Sequence, residues 1–131
     1  MKQLLFLLLG TVCFAPMAMG MCSYEKVYSD PGRLQIVVAY YVALRQEVGR
    51  IQYDIKDSYI MSLEVSTAMQ GKRIGSELFR YAVKDMKDHP VVEWFAVDTA
   101  IGFYIKQGAK IEEAGVIGGA YMSIDPKVLQ D

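Results

Sequence analysis

Midway along the chain the hydrophobic repeat changes. Up to Val65 the apolar residues fall in short strand-like runs. From Leu78 they fall at i, i+1, i+4, i+5 and i+8 (Leu78, Phe79, Ala82, Val83, Met86), one face of an amphipathic helix. Several strands must therefore form before the first helix crosses them. The runs predict strands over Tyr24–Asp30 (an edge strand), Leu34–Leu44, Gly49–Ile55 and Tyr59–Val65. Turn signals separate them at Asp30-Pro31-Gly32, Arg45-Gln46-Glu47 and Lys56-Asp57-Ser58. Within Tyr59–Val65 the apolar phase slips from Ile60 to Leu63 and Val65, the pattern of a β-bulge. After the helix, which His89-Pro90 ends, Val91–Val97 is apolar except for Glu93 and reads as a strand covered on both faces. Thr99 is expected to cap a short helix running to Gln107, with Gly108 as its stop. Ala109–Ile117 and Tyr121–Ile124 form a hairpin through Gly118-Gly119. The order is β-β-β-β-α-β-α-β-β, an α/β fold with a mixed sheet and no internal repeat.

A chain of 131 residues holds one domain, and 53% hydrophobic residues exclude disorder. A formal charge of -1, without a basic run, gives no reason to expect nucleic-acid binding. The single histidine, His89, excludes a His-based metal cluster and argues against a catalytic triad, and no Cys/His spacing fits a metal. Met1–Gly20 reads as a signal peptide, with Lys2, the apolar run Leu4–Phe14 and small residues at Ala18 and Gly20 before the cut. The run is short of the roughly 20 apolar residues of a membrane span, so no stable membrane insertion is expected after cleavage. Residues 21–131 would be the mature domain. Cys13 leaves with the leader, and Cys22 alone can form no internal disulfide. Met21 is larger than the small residue that lipid attachment at Cys22 prefers, so an exposed thiol on a frayed end is the plainer expectation.

The chemistry concentrates in Ser62–Ser76, a strand, a polar loop with two glycines and two cations, then a helix. The first amides of a helix lack internal partners, and with the helix dipole they form an anion site. Glycine lets backbone approach a phosphate closely. Gly71, Gly75, Lys72 and Arg73 therefore suggest a pyrophosphate guest. The stretch fits neither the Gly-Lys-Ser/Thr loop nor a Gly-x-Gly-x-x-Gly run. An ordinary helix start flanked by loop cations is the alternative reading.

This stretch resembles the signature of the GCN5-related N-acetyltransferase (GNAT) family, Gln or Arg, two variable residues, Gly, one variable residue, then Gly or Ala. Gln70, Ile74 and Gly75 fit, and Arg73 stands at the first Gly position. Leu63-Glu64-Val65 looks like the family's fourth strand. Ala100–Ala109, with Phe103-Tyr104 and Gly108, is similar to its second signature. Val97 stands where the family often has Asn. The resemblance runs from about Val38 to Ile124. It implies a GNAT-like fold lacking the usual two helices after the first strand, because Tyr24–Leu34 is too short for them.

The resemblance also implies acetyl-CoA as co-substrate and a primary amine as acceptor, either a small molecule or a protein lysine or N-terminus. Leu63 and Val65 match the strand positions that pair with pantetheine. Gln70, Gly71, Lys72, Arg73, Ile74, Gly75 and Ser76 match the pyrophosphate loop. Tyr104 matches a tyrosine that protonates the departing thiolate, and Glu64, ahead of Glu93 and Asp98, is the candidate base. Two other readings compete, a GNAT-fold binding module without catalysis and a secreted interaction protein. A used leader implies export, whereas acetyl-CoA is cytosolic. An effector acting inside another cell, or an unused leader and a cytoplasmic protein, reconciles the two.

Overall fold

The computed structural model describes residues 22–129, and the Met1–Gly20 leader lies outside them. Seven strands form one sheet: β1 (Cys22–Ser29), β2 (Leu34–Tyr41), β3 (Gln46–Asp54), β4 (Tyr59–Val65), β5 (Val92–Val97), β6 (Lys110–Val116) and β7 (Gly119–Ile124). Their spatial order is β1-β2-β3-β4-β5-β7-β6. Helix α1 (Ile74–Asp85) joins β4 to β5, and α2 (Ile101–Lys106) precedes β6. Only β4 and β5 run parallel, and that pair needs a crossover, which α1 supplies. The element order and mixed sheet are those the periodicity predicts. β1 and β2 are joined by a short turn at residues 30–33, with no helix between them. Among the described residues no helix is long and apolar enough to cross a membrane.

One face of the sheet carries the core. Ile74, Leu78, Phe79, Ala82 and Val83 of α1 pack against Val37, Ile51 and Tyr53 on one side and Trp94, Met122 and Ile124 on the other. Phe79 ties the two helices to β5, with its ring 5.2 Å from Trp94 and 5.5 Å from Tyr104. Truncating such a residue to Ala costs about 3–5 kcal/mol. The far end of α1 is held by Asp85, whose Oδ2 accepts from Tyr53 Oη at 2.7 Å and pairs with Lys26 Nζ at 2.8 Å.

Four local expectations are corrected. β5 is not covered on both faces. Val92, Trp94 and Ala96 are buried while Glu93 and Val97 are exposed, because no helix among the described residues lies over the second face here. Thr99 caps nothing. It sits inside a 3-10 turn, Asp98–Ala100, that feeds α2, and neither start carries a side-chain cap. Cys22 is no frayed end either. It pairs with Tyr41 in β1, half-buried, with its thiol pKa raised by desolvation. β2 is also shorter than expected, ending at Tyr41 before a 3-10 turn at Val42–Leu44.

Candidate active site

The phase slip in β4 is a real bulge, and it opens the molecule. Gln52 pairs with Ser62 and Tyr53 with Ile60, so Met61 is the extra residue. A bulge bends its strand. β4 leaves β5 at the same point, since the two pair only at Tyr59–Glu93 and Ile60–Trp94. Beyond it, β4 presents bare backbone to a gap. Ser66 N–H donates to Val48 C=O at 2.8 Å, so the trans peptide aims Val65 C=O away from β3. The two-residue repeat of a strand puts the backbone groups of Leu63 on the same edge.

Across the gap stands the start of α1. Its ladder begins with Glu77 N–H donating to Arg73 C=O at 3.0 Å, so the amides of Ile74, Gly75 and Ser76 precede it. The loop reaches this point through left-handed backbone at Gly71 (φ 81°) and at Arg73 (φ 68°). Arg73 occupies the place where the family pattern has Gly, and the backbone there keeps the conformation that glycine favours. Left-handed backbone costs a non-glycine residue about 1–2 kcal/mol. Gln70 Nε2 donates to Val65 C=O at 3.1 Å and so ties the loop to β4. Gln107 Nε2 donates to Ser76 Oγ at 2.8 Å and ties α2 to α1.

These elements enclose a cleft of about 540 Å³ that contains Leu63, Val65, Gln70, Gly71, Arg73, Gly75, Ser76 and Tyr104 from the expected set. Three members stand apart, and one of them, Glu64, lines a neighbouring cavity between β4 and β5. Ile74 is buried in the core, so only its backbone faces the loop. Lys72 lies outside the cleft, in a depression with Tyr24, Arg73 and Glu77, and Arg73 lines both. Met69, Thr99, Ala100 and Phe103 also line the cleft. Phe103 was visible beside Tyr104 in the second signature. Ala100 opens that same signature, Thr99 suggests only a helix cap, and Met69 has no signal of its own.

Tyr104 is 7% exposed and packs among Phe79, Trp94 and Phe103, with its ring centroid 4.9 Å from Trp94 and 5.0 Å from Phe103. Desolvation pushes its pKa up to about 12. At neutral pH it is a phenol and holds a proton to give. A second cavity of about 330 Å³ lies between β4 and β5 and shares Leu63, Ala100 and Tyr104 with the cleft. Glu64 lines this cavity, while Glu93 and Asp98 do not. Among the described residues no three His, Cys, Asp or Glu side chains gather at one point.

The profile of the Acetyltransferase (GNAT) family matches residues 16–109. The chain belongs to this family. A search of curated protein sequences returned no match. Solved structures share the fold. The PaiA N-acetyltransferase of Thermoplasma acidophilum in complex with coenzyme A is 21% identical, with TM-score 0.61 over 71% of this chain and 61% of its own. Naa50 of Arabidopsis thaliana in complex with the bisubstrate analogue CoA-Ac-MVNAL is 24% identical, with TM-score 0.58 over 69% and 72%. Mutant forms of the spermidine/spermine N-acetyltransferase SpeG of Vibrio cholerae are 14% identical, with TM-score 0.58 over 72% and 66%. This chain thus spans about three fifths of the Thermoplasma protein.

Proposed function

We propose that this protein transfers the acetyl group of acetyl-CoA to a primary amine. The observation that carries the reading is the parting of β4 from β5 after Ile60 and Trp94, with unladdered helix amides and the Tyr104 phenol on one cleft. The coenzyme A complex of the Thermoplasma relative and the bisubstrate complex of the Arabidopsis relative support it. In this reading the pantetheine amides pair with the edge of Leu63 and Val65 that β5 leaves open, sharing the Val65 carbonyl with Gln70 Nε2. The pyrophosphate meets the amides of residues 71–76, with Gln70 holding the loop and the Arg73 guanidinium adding charge. The cleft residues need no metal for this.

The amine nitrogen attacks the thioester carbonyl carbon directly. The C–N bond forms, the C–S bond breaks, and the sulfur leaves with the electron pair. Tyr104 gives its proton to the thiolate, and Glu64 takes the proton lost by the nitrogen, directly or through one water. That proton then returns to the phenolate through solvent. Glu64 fits better than Glu93 or Asp98 because it alone of the three shares a cavity with Tyr104.

Calorimetric titration with acetyl-CoA, followed by CoA-thiol release with a panel of amines, tests the reading. Binding with amine-dependent release is the expected result. Absence of acetyl-CoA binding overturns it, and binding without turnover of any amine leaves the module reading in its place. We also propose export through the Met1–Gly20 leader. N-terminal sequencing should find a chain beginning at Met21, and an intact Met1 in cytosolic protein would end that proposal.

A further inference from the structure

The geometry points to the acceptor's class, a monoamine whose ammonium is carried on an apolar body, with an aromatic body preferred, entering through the cavity between β4 and β5. This rests on the acetyl-transfer reading above.

The cavity meets the cleft at Leu63, Ala100 and Tyr104, so a nitrogen in one can reach a carbonyl in the other at their junction. Its walls are set by the bulge in β4 and by exposed side chains of β4 and β5. The bulge turns Met61 outward, leaving it 55% exposed, and Val97 is 53% exposed where the family often has Asn. Phe95 continues this wall. Its ring lies 5.3 Å from Tyr121, edge to face, and Tyr121 is 43% exposed. Tyr59, beside both, completes an apolar and aromatic surface on the face that no helix covers.

The charge is equally specific. Glu64 is the one ionisable group with a formal charge at neutral pH among the cavity walls, and no cation lines them. Arg50 lies near enough to interact with Glu64, but its guanidinium is forked onto Glu47 at 2.7 and 2.9 Å. Within the cavity one ammonium therefore finds one carboxylate, Glu93 standing outside the walls beside Tyr59, and the rest of the acceptor finds mainly apolar walls with the Ser62 hydroxyl among them. A polyamine would leave its further ammonium groups against Met61, Phe95 and Val97, and an acceptor carrying an anion would find no cation.

Steady-state kinetics should compare phenethylamine and isoamylamine with spermidine, lysine and a peptide beginning with Met. We expect kcat/KM for phenethylamine to exceed that for spermidine and lysine by about tenfold or more, the range of selectivity apolar pockets reach. Met61→Lys and Val97→Asp, both at exposed positions, should lower kcat/KM for phenethylamine about tenfold while leaving acetyl-CoA affinity and the melting temperature unchanged. Preference for spermidine, lysine or the peptide, or indifference of phenethylamine to both variants, overturns the proposal. If acetyl-CoA binds but nothing turns over, NMR of the CoA-bound protein decides. Phenethylamine shifting the Met61 and Val97 methyl signals supports the acceptor class, and no shift overturns it. Failure of acetyl-CoA to bind would instead sink the acetyl-transfer reading and this inference with it.

Discussion

The two cavities that meet at Tyr104 are built from different materials. The cleft on the helix side is made mainly of backbone: the bare edge of β4, the leading amides of α1 and the left-handed turns at Gly71 and Arg73. The cavity between β4 and β5 is made of side chains, among them Met61, Glu64, Phe95 and Val97. The difference explains what this chain retains and what it changes. A backbone site survives substitution as long as the fold is kept, so Arg can replace a signature Gly and the turn persists. A side-chain site changes with every substitution, and here Val stands for Asn. Under the acetyl-transfer proposal, the backbone cleft keeps the family's turn at Arg73, and the side-chain cavity carries Val97 where the family often has Asn.

The largest expected effect comes from filling the backbone cleft. A Cβ on Gly75 would lie 3.5 Å from both Phe103 Cζ and Val65 Cγ2, an ordinary contact, so Gly75→Ala should bind acetyl-CoA nearly as the parent does. Gly75→Phe carries a ring into the same space and should weaken binding at least about 100-fold by calorimetry, equivalent to about 2.7 kcal/mol. If Gly75→Phe binds normally, the cleft is not the cofactor site.

Next comes the junction. Among the described residues the Tyr104 hydroxyl makes no side-chain hydrogen bond, so Tyr104→Phe should leave the melting temperature and acetyl-CoA affinity unchanged. It should lower kcat about 100-fold, the lower range for a general acid. An unchanged kcat would remove Tyr104 from the chemistry and leave it as packing.

A smaller effect separates strain from charge at the loop. Arg73→Gly relieves left-handed backbone and should stabilise the fold by about 1 kcal/mol, raising the melting temperature about 4–8 °C for a domain of this size. The same change should weaken acetyl-CoA binding about threefold and flatten its salt dependence, because a charge at the phosphate end is lost. Tighter binding by Arg73→Gly would mean that the guanidinium hinders the cofactor.

The smallest effect under ordinary conditions is in pH. The Tyr104 and Tyr24 phenols are both pushed up to about 12 by burial, and Tyr53 is raised further by burial and by its bond to Asp85. A raised folded-state pKa gives stability that is whole below the ordinary tyrosine value and lost as pH climbs through the folded value. Thermal melts should thus show no loss from these groups below about pH 10 and a decline from there toward 12. Because Tyr104 stays protonated, kcat/KM should rise with pH through the amine's own deprotonation, without a fall near pH 9. A descending limb at pH 8–9 that Tyr104→Phe abolishes would contradict the assigned phenol.

Periodicity carried most of the fold into view. The helix stripe from Leu78 to Met86, the turns at Asp30-Pro31-Gly32 and Lys56-Asp57-Ser58 and the phase slip at Ile60–Leu63 each reflect a local backbone rule, and each appears in the structure. The turn expected at Arg45-Gln46-Glu47 instead falls earlier, at Val42–Leu44, with β3 already begun at Gln46. Val91–Val97 misled because an apolar run records what a strand is made of, not which faces neighbours cover. Thr99 misled because a capping residue type is common in any loop. The loop that opens α1 was legible through Gln70, Gly71 and Gly75. The left-handed turn at Arg73 was not, since nothing about arginine announces positive φ. The walls of the second cavity were hidden for another reason. Met61 and Val97 lie on strands brought side by side only by the parallel crossover, and no spacing along the chain records that adjacency.

The most direct test is backbone amide NMR of the labelled protein during titration with coenzyme A. The account predicts shifts and slowed exchange at Leu63, Val65, Ile74, Gly75 and Ser76, with the Met61 and Val97 amides little changed. Perturbation centred on Met61 and Val97 instead, or none at the start of α1, would contradict it.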